Sequence, residues 1–390
     1  MKIYFIGQKG IPATIGGVEH YVDSAATRLA AQGHEVFVYT RWSYSNRKRR
    51  TYKGVNLINL PSIPTKNLDT ITHTFLAVLD VLRRRADVVH FHSIGPSLLL
   101  WIVKIFKPGA VVVGTFQSQC YRHQKWGSIA RLFLHLGEII LCAFADIVIV
   151  PSRILYHYAT RRYNLEPVYL PNGVTMPKKQ PAKMIKKFGL KKDNYILYAG
   201  RLIRHKGVHY LIEAYNKLQA DKKLVIVGSG SFTDKYVKEL KKLAGKDKNI
   251  IFTGQQNGQI LKELYSNAYC FVQPSESEGL SIALLEAMSY GLPIVASDIS
   301  ENKEALSGNG YLFSNTDVES LERQLKNVLS RQKLAKKIGE KGRQHIKQNY
   351  NWDILAKELA SLYKETVSIK QEHKFINKKI IANKLTLEPK

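Results

Sequence analysis

Short apolar runs of strand length alternate with helix-patterned stretches along nearly the whole chain. The first half offers IYFI (3–6), VFVY (36–39), VVHF (88–91), VVV (111–113) and IVIV (147–150). The second half restarts with YILYA (195–199), LVIV (224–227), IIF (250–252), YCFVQ (269–273) and IVA (294–296). Strands alternating with helices imply parallel sheets joined by crossover helices. Val18, Tyr21, Val22, Ala25 and Leu29 share one helical face, and Gly33 stops that helix. Between the halves stand Pro167, Pro171 and the turn pair Asn172-Gly173, followed by a polar stretch over 177–193. The expected organisation is α/β. A Rossmann-like domain over 1–167 is followed by a linker over 168–192 and a second such domain over 193–350. A helix over 351–367 returns to the first domain, and a basic tail fills 368–390.

The 390-residue length fits two or three domains, and 45% hydrophobic with 10% aromatic residues suits packed cores. Cys120, Cys142 and Cys270 are scattered, so neither a disulfide framework nor a zinc site is implied. The first apolar run is too short for a secretory signal core. The nearest approach to a membrane span, Leu132 to Val150, is interrupted by His135, Glu138 and Asp146. A cytoplasmic chain is expected. The net charge of +28 divides into +12 over residues 1–167 and +16 over the rest, so it is a diffuse field. Such a field suits anionic nucleotides, an anionic membrane leaflet or nucleic acid.

Three motifs carry chemistry. Gly7-Gln8-Lys9-Gly10 and Gly16-Gly17 lie between the first strand and its helix, where backbone N–H groups suit phosphate. This is not a G-x-G-x-x-G turn, and it also reads as a structural connection. AGRLIRHKG (199–207) places Gly200, Arg201 and Lys206 after a strand. There a guanidinium and an ammonium can neutralise a diphosphate leaving group, unless the loop is simply solvated. PSESEGLSIALLEAMSYGLPIVAS (274–297) puts Glu278 just before a helix and Glu286 in its early part, among apolar neighbours. A carboxylate buried there needs a partner, and sugar or ribose hydroxyls can serve. Otherwise Glu278 caps the helix and Glu286 is a surface residue.

Together these segments resemble the retaining glycosyltransferases of family 4, over roughly residues 1–365. The opening GQKGIPATIGGVEHYV looks closest to a rhamnosyltransferase-like subgroup of bacterial surface polysaccharide assembly. The resemblance implies a GT-B fold, two Rossmann-like domains with parallel sheets facing across a cleft that closes on substrate. It implies that Arg201 and Lys206 hold the donor diphosphate and that Glu286 binds the nucleotide ribose. Glu278 would contact the transferred sugar, helped by the backbone of Gly279, Leu280 and Ser281. Gly16 and Gly17 would face the diphosphate or the acceptor. VVHFHS implies a histidine near the sugar. His92 is preferred to His90 on the expectation that strand alternation turns one in and one out. Gln117, Ser118 and Cys120 depart from the family pattern on the acceptor side.

The sequence has no Asp-x-Asp, and the family works without a metal, so neither a metal nor a cofactor is expected. The expected partners are a nucleotide-sugar donor and a glycan or lipid-linked acceptor. Trp42, Tyr44 and Tyr52 among Arg47 to Arg50, Arg83 to Arg85 and LLLWIVKIFK (98–107) suit an anionic membrane surface on its inner face. No helix-turn-helix, zinc-finger or RNP pattern supports a nucleic-acid partner. A sugar-nucleotide epimerase and a non-catalytic sugar-binding relative are the competing readings.

Overall fold

The computed structural model describes the backbone of residues 1–385, except 15, 45, 66–67, 120, 122–126, 219 and 231–232, and the side chains as far as 372. The chain forms two compact units, 1–171 with 352–390, and 172–351.

The first unit runs β1 (Lys2–Ile6), α1 (Gly17–Ala31), β2 (Glu35–Arg41), β3 (Thr51–Tyr52), β4 (Val55–Leu60), α2 (Leu68–Leu82) and β5 (Val88–His92). It continues through α3 (Ile94–Ser97), α4 (Leu100–Phe106), β6 (Val111–Thr115), α5 (Ser128–Phe144), β7 (Ile147–Val150), α6 (Arg153–Tyr163) and β8 (Val168–Tyr169). Its sheet has the order β3-β4-β2-β1-β5-β6-β7-β8. Every pairing is parallel except β3 with β4. The two-residue period of a strand splits the core: Ile3 and Phe5 face α1, while Tyr4 and Ile6 face α2 and α4.

The second unit holds β9 (Tyr195–Ala199), α7 (Val208–Lys217), β10 (Lys223–Val227), α8 (Asp234–Ala244), β11 (Ile250–Gly254), α9 (Gly258–Asn267) and β12 (Cys270–Gln273). Then come α10 (Ile282–Ser289), β13 (Ile294–Ser297), α11 (Ser300–Leu306), β14 (Tyr311–Phe313), α12 (Val318–Ser330) and α13 (Gln332–Asn349). Its parallel sheet has the order β11-β10-β9-β12-β13-β14. Numbered within the unit this is 3-2-1-4-5-6, the doubly wound order of dinucleotide-binding folds. Without β3, the first sheet starts in the same way. Each sheet therefore has one point where the strand order reverses, between β1 and β5 and between β9 and β12.

Two expected boundaries are corrected. The span 168–192 is not a free linker. Val168 and Tyr169 pair with β7, while Val174, Ile185 and Leu190 are buried in the second unit's core. The Glu263 carboxylate accepts from the backbone N–H groups of Lys183 and Met184 at 2.8 and 2.7 Å, which anchors the turn Met184–Phe188. The tail expected from 368 is also not separate, because α14 runs from Trp352 to Leu385. Its buried Trp352, Leu355, Leu359 and Tyr363 join the first unit's core.

One buried contact fastens α14 to the sheet. His90 Nδ1 shares a 2.6 Å hydrogen bond with the Tyr363 hydroxyl, and His90 Nε2 another of 2.6 Å with Thr115. Tyr363→Phe leaves one buried ring nitrogen unpaired and should cost about 1–3 kcal/mol. A lower unfolding midpoint for the full chain in urea checks this.

Candidate functional site

In the second unit the motifs converge where the strand order reverses. There the adjacent strands β9 and β12 send their connections to opposite faces, leaving a crevice at their carboxyl ends. Arg201 and Lys206 follow β9, and Pro274 to Ser281 follow β12. The two loops touch backbone to backbone. The Glu276 N–H donates to the His205 carbonyl at 2.9 Å. A methyl group at Gly207, whose φ is +68°, would collide with the Pro274 carbonyl. Glycine there allows the two loops to close together.

Lys206 and Glu278 meet across this junction. The ammonium donates to both carboxylate oxygens, at 2.5 and 2.6 Å, and the side chains are only 14% and 8% exposed. Ser275 and Gln273 each donate to the same oxygen of Glu278 at 2.7 Å. Burial pushes the Glu278 carboxyl up, but the Lys206 charge, its hydrogen bond and that of Ser275 outweigh this, so the net shift is downward. Glu278 is an ionised acceptor at neutral pH. Arg201 is exposed, lies in the same β9 loop as Lys206, and lowers the Tyr198 phenol that burial and Glu278 raise. Its backbone carbonyl accepts from the Tyr198 hydroxyl at 3.1 Å. Gly200, Gly279 and Leu280 lie in the same loops, and Ser281 caps α10 by accepting from the Leu284 N–H. Glu286 is half-buried on α10, hydrogen-bonded to the buried Tyr265 phenol, which burial and Glu286 both raise.

The first unit repeats this construction at its own reversal point. Gly7 follows β1, and a methyl group there would collide with the carbonyl of His92 at the end of β5. Gly16 has φ +104° and caps α1, whose first residue is Gly17. The Glu19 carboxylate folds under Gly16 and accepts from the Lys9 N–H at 3.0 Å.

The expected division of the histidines is wrong. Residues 90 and 92 are two apart on one strand and so share a face. Their rings lie 4.1 Å apart, both fully buried. What separates them is hydrogen bonding. Both His90 nitrogens have protein partners, while neither His92 nitrogen has one. Burial lowers His92 to about 3, so its imidazole is neutral through the physiological range.

Gln273, Ser275, Tyr265 and Glu19 are the positioning residues that sequence reading missed. Only the S/E spacing of Ser275 and Glu278 carried a signal. Of the acceptor-side departure, Gln117 and Ser118 are half-buried and follow β6, while Cys120 lies outside the described residues. Among the described residues, no three His, Cys, Asp or Glu side chains group to hold a metal ion.

Two doubly wound domains, each with its loops gathered at a reversal point, define the GT-B class. The solved sucrose-phosphate synthase of Thermosynechococcus elongatus superposes with a TM-score of 0.81 at 22% identity, over 94% of this chain and 99% of that one. HepE of Anabaena in complex with UDP-glucose gives 0.78 at 18%, over 94% and 100%. The family model for glycosyl transferases group 1 matches residues 181–345, and that for glycosyltransferase family 4 matches 15–176. An uncharacterized glycosyltransferase of Methanocaldococcus jannaschii is 26% identical over 93% of this chain and 98% of its own length. The chain is a glycosyltransferase of the GT-B type, and the family 4 model fits its first half.

The Lys206–Glu278 pair sets a pH signature. A carboxylate with a lowered folded pKa contributes stability above its unfolded value, lost as pH falls through the folded one. Lys206→Ala leaves Glu278 buried without a cation and should cost about 3–5 kcal/mol at neutral pH. In that variant burial raises the carboxyl, so acidification should relieve the loss. Adding Glu278→Gln should restore most of the stability. Thermal melts of the three proteins from pH 4 to 8 check the sign.

Proposed function

We propose that this chain transfers a sugar, with retained anomeric configuration and without a metal, from a nucleotide diphosphate donor to a lipid-linked glycan. The observation that carries the reading is the buried Lys206–Glu278 pair where the second sheet reverses, with an exposed Arg201 in the same β9 loop as Lys206. The two cations take the diphosphate and stabilise the negative charge that grows on it as the glycosidic bond breaks. Arg201 grips phosphate oxygens in bidentate fashion, and Lys206 adds a point charge. Glu278, kept ionised by Lys206, accepts from hydroxyls of the transferred sugar, while the Gly279–Ser281 backbone lines the same turn. Glu286, steadied by Tyr265, accepts from the ribose hydroxyls. Gly16 and Gly17 offer backbone amides at the start of α1. UDP-glucose in the similarly folded HepE supports a nucleotide-sugar donor.

Retention permits attack on the face the phosphate leaves, with that phosphate taking the acceptor proton, or a double displacement. His92, kept neutral by burial, does not act as an acid. The resemblance to the rhamnosyltransferase-like subgroup supports a surface polysaccharide as product. The enzyme then works in the cytoplasm, on the inner face of the membrane. An epimerase would change the donor sugar with no acceptor present.

Thermal-shift titration with UDP, GDP and dTDP tests the donor grip. The cognate nucleotide at 100 times its Kd should add about 2.7 kcal/mol of stability. Arg201→Ala with Lys206→Ala should abolish the difference between nucleotides. Product NMR with the cognate donor and a lipid-linked glycan, with and without EDTA, should show the donor's anomeric configuration kept and the rate unchanged. With His92 neutral above about pH 3, the rate should show no limb near pH 6.5 that His92→Gln removes.

A further inference from the structure

The apolar side chains of α5 point the wrong way for a buried helix. Ile129 is 75% exposed, Leu132 59% and Phe133 51%, and Leu136 and Ile139 continue the stripe. The opposite face is packed so closely that a methyl group at Gly137 would collide with the Ile94 carbonyl. The helix is therefore fixed with its apolar stripe outward. α4 packs beside α5 and exposes Trp101, Ile105 and Phe106, the last by 68%. A contiguous apolar face of this kind marks an interaction surface.

The charges around it select the partner. Neither helix exposes an acidic side chain, since Glu138, the single acid on the two, is buried beneath the tyrosines Tyr158 and Tyr163. Arg131 is exposed within the α5 stripe. Lys107 donates to the carbonyls of Leu82 and Arg84, which sets the exposed Arg83–Arg85 turn beside the end of α4. A second copy of so basic a chain would oppose these charges with its own kind, which disfavours self-association. Anionic lipid headgroups complement them, and acyl chains accept the side chains between them. Among the described residues no helix is long and apolar enough to cross a membrane.

We infer that the outer face of α4 and α5 is a monotopic membrane-binding surface, inserting its apolar stripe into an anionic leaflet with Arg131, Lys107 and the Arg83–Arg85 turn at the headgroups. This deepens the lipid-linked acceptor reading, because it places the first unit on the leaflet that carries such a substrate.

The test is sedimentation of the full chain with phosphatidylcholine vesicles, with and without phosphatidylglycerol. The wild type should favour the anionic vesicles by about tenfold or more. Ile129→Ser with Leu132→Ser and Phe133→Ser should weaken partition by about tenfold, with the circular dichroism unchanged since these side chains point outward. Arg131→Glu should reduce only the preference for anionic lipid. Equal binding of wild type and triple variant overturns the proposal. So does a wild-type dimer that the triple variant converts to monomer without any vesicle binding, which would give the face to a second copy. Nucleotide thermal shifts are run in parallel. Wild-type vesicle binding without any nucleotide response would end the transferase reading and leave this surface standing.

Discussion

The reversal of strand order is the constraint on which the rest depends. Strands β9 and β12 lie side by side, but their helices must pack on opposite faces of the sheet, so the connections diverge and leave a crevice at the carboxyl ends. The gap is set by topology before any side chain is chosen. Side chains then determine what it does. In the second unit the crevice is narrowed by the contact of Gly207 with the Pro274 carbonyl and occupied by a lysine and a carboxylate. In the first, the same contact recurs between Gly7 and the His92 carbonyl, and the charged group there is the buried Arg41 guanidinium, which donates to the Gly7 carbonyl at 3.3 Å and pairs with Asp69.

The charged pair has an energetic logic of its own. Burying an isolated carboxylate costs several kcal/mol, and a salt bridge offsets that only when the remaining acceptor sites are also filled. Glu278 meets the condition through Gln273 and Ser275. The protein thus holds an ionised acid and a cation at one junction. On the proposed reaction, that preorganisation would spare the cost of orienting dipoles as charge develops. Arg201, in the same loop, is exposed.

Much of this was legible in the sequence because strands buried on both faces are short continuous apolar runs, and each run named in advance is a strand. The loops after β9 and β12 were legible because glycine, arginine and glutamate in such places have few structural uses. Gln273, Ser275 and Tyr265 were not, because their roles exist only once β12 and α9 bring them to Glu278 and Glu286. Strand alternation does not separate the histidines, because a period of two unites positions 90 and 92. The misread linker has a different cause. Its sequence is locally polar and proline-rich, but a single remote carboxylate, Glu263, ties down its backbone.

Helix α5 marks the limit of hydropathy as a guide. From composition alone its leucines, isoleucines and phenylalanines belong in a core, yet Ile129, Leu132, Phe133, Leu136 and Ile139 form an exposed apolar stripe. The direction is decided by Gly137, whose missing side chain lets α3 approach, and by Glu138, which turns inward because two tyrosine hydroxyls receive it at 2.7 Å. A glycine and an acid on the inner face, with hydrocarbon outside, reverse the usual arrangement of a surface helix. Such a reversal costs solvation wherever water is the neighbour. On the membrane-binding surface proposed above, it becomes favourable beside hydrocarbon, and the diffuse positive field of the chain would supply the long-range attraction to an anionic leaflet.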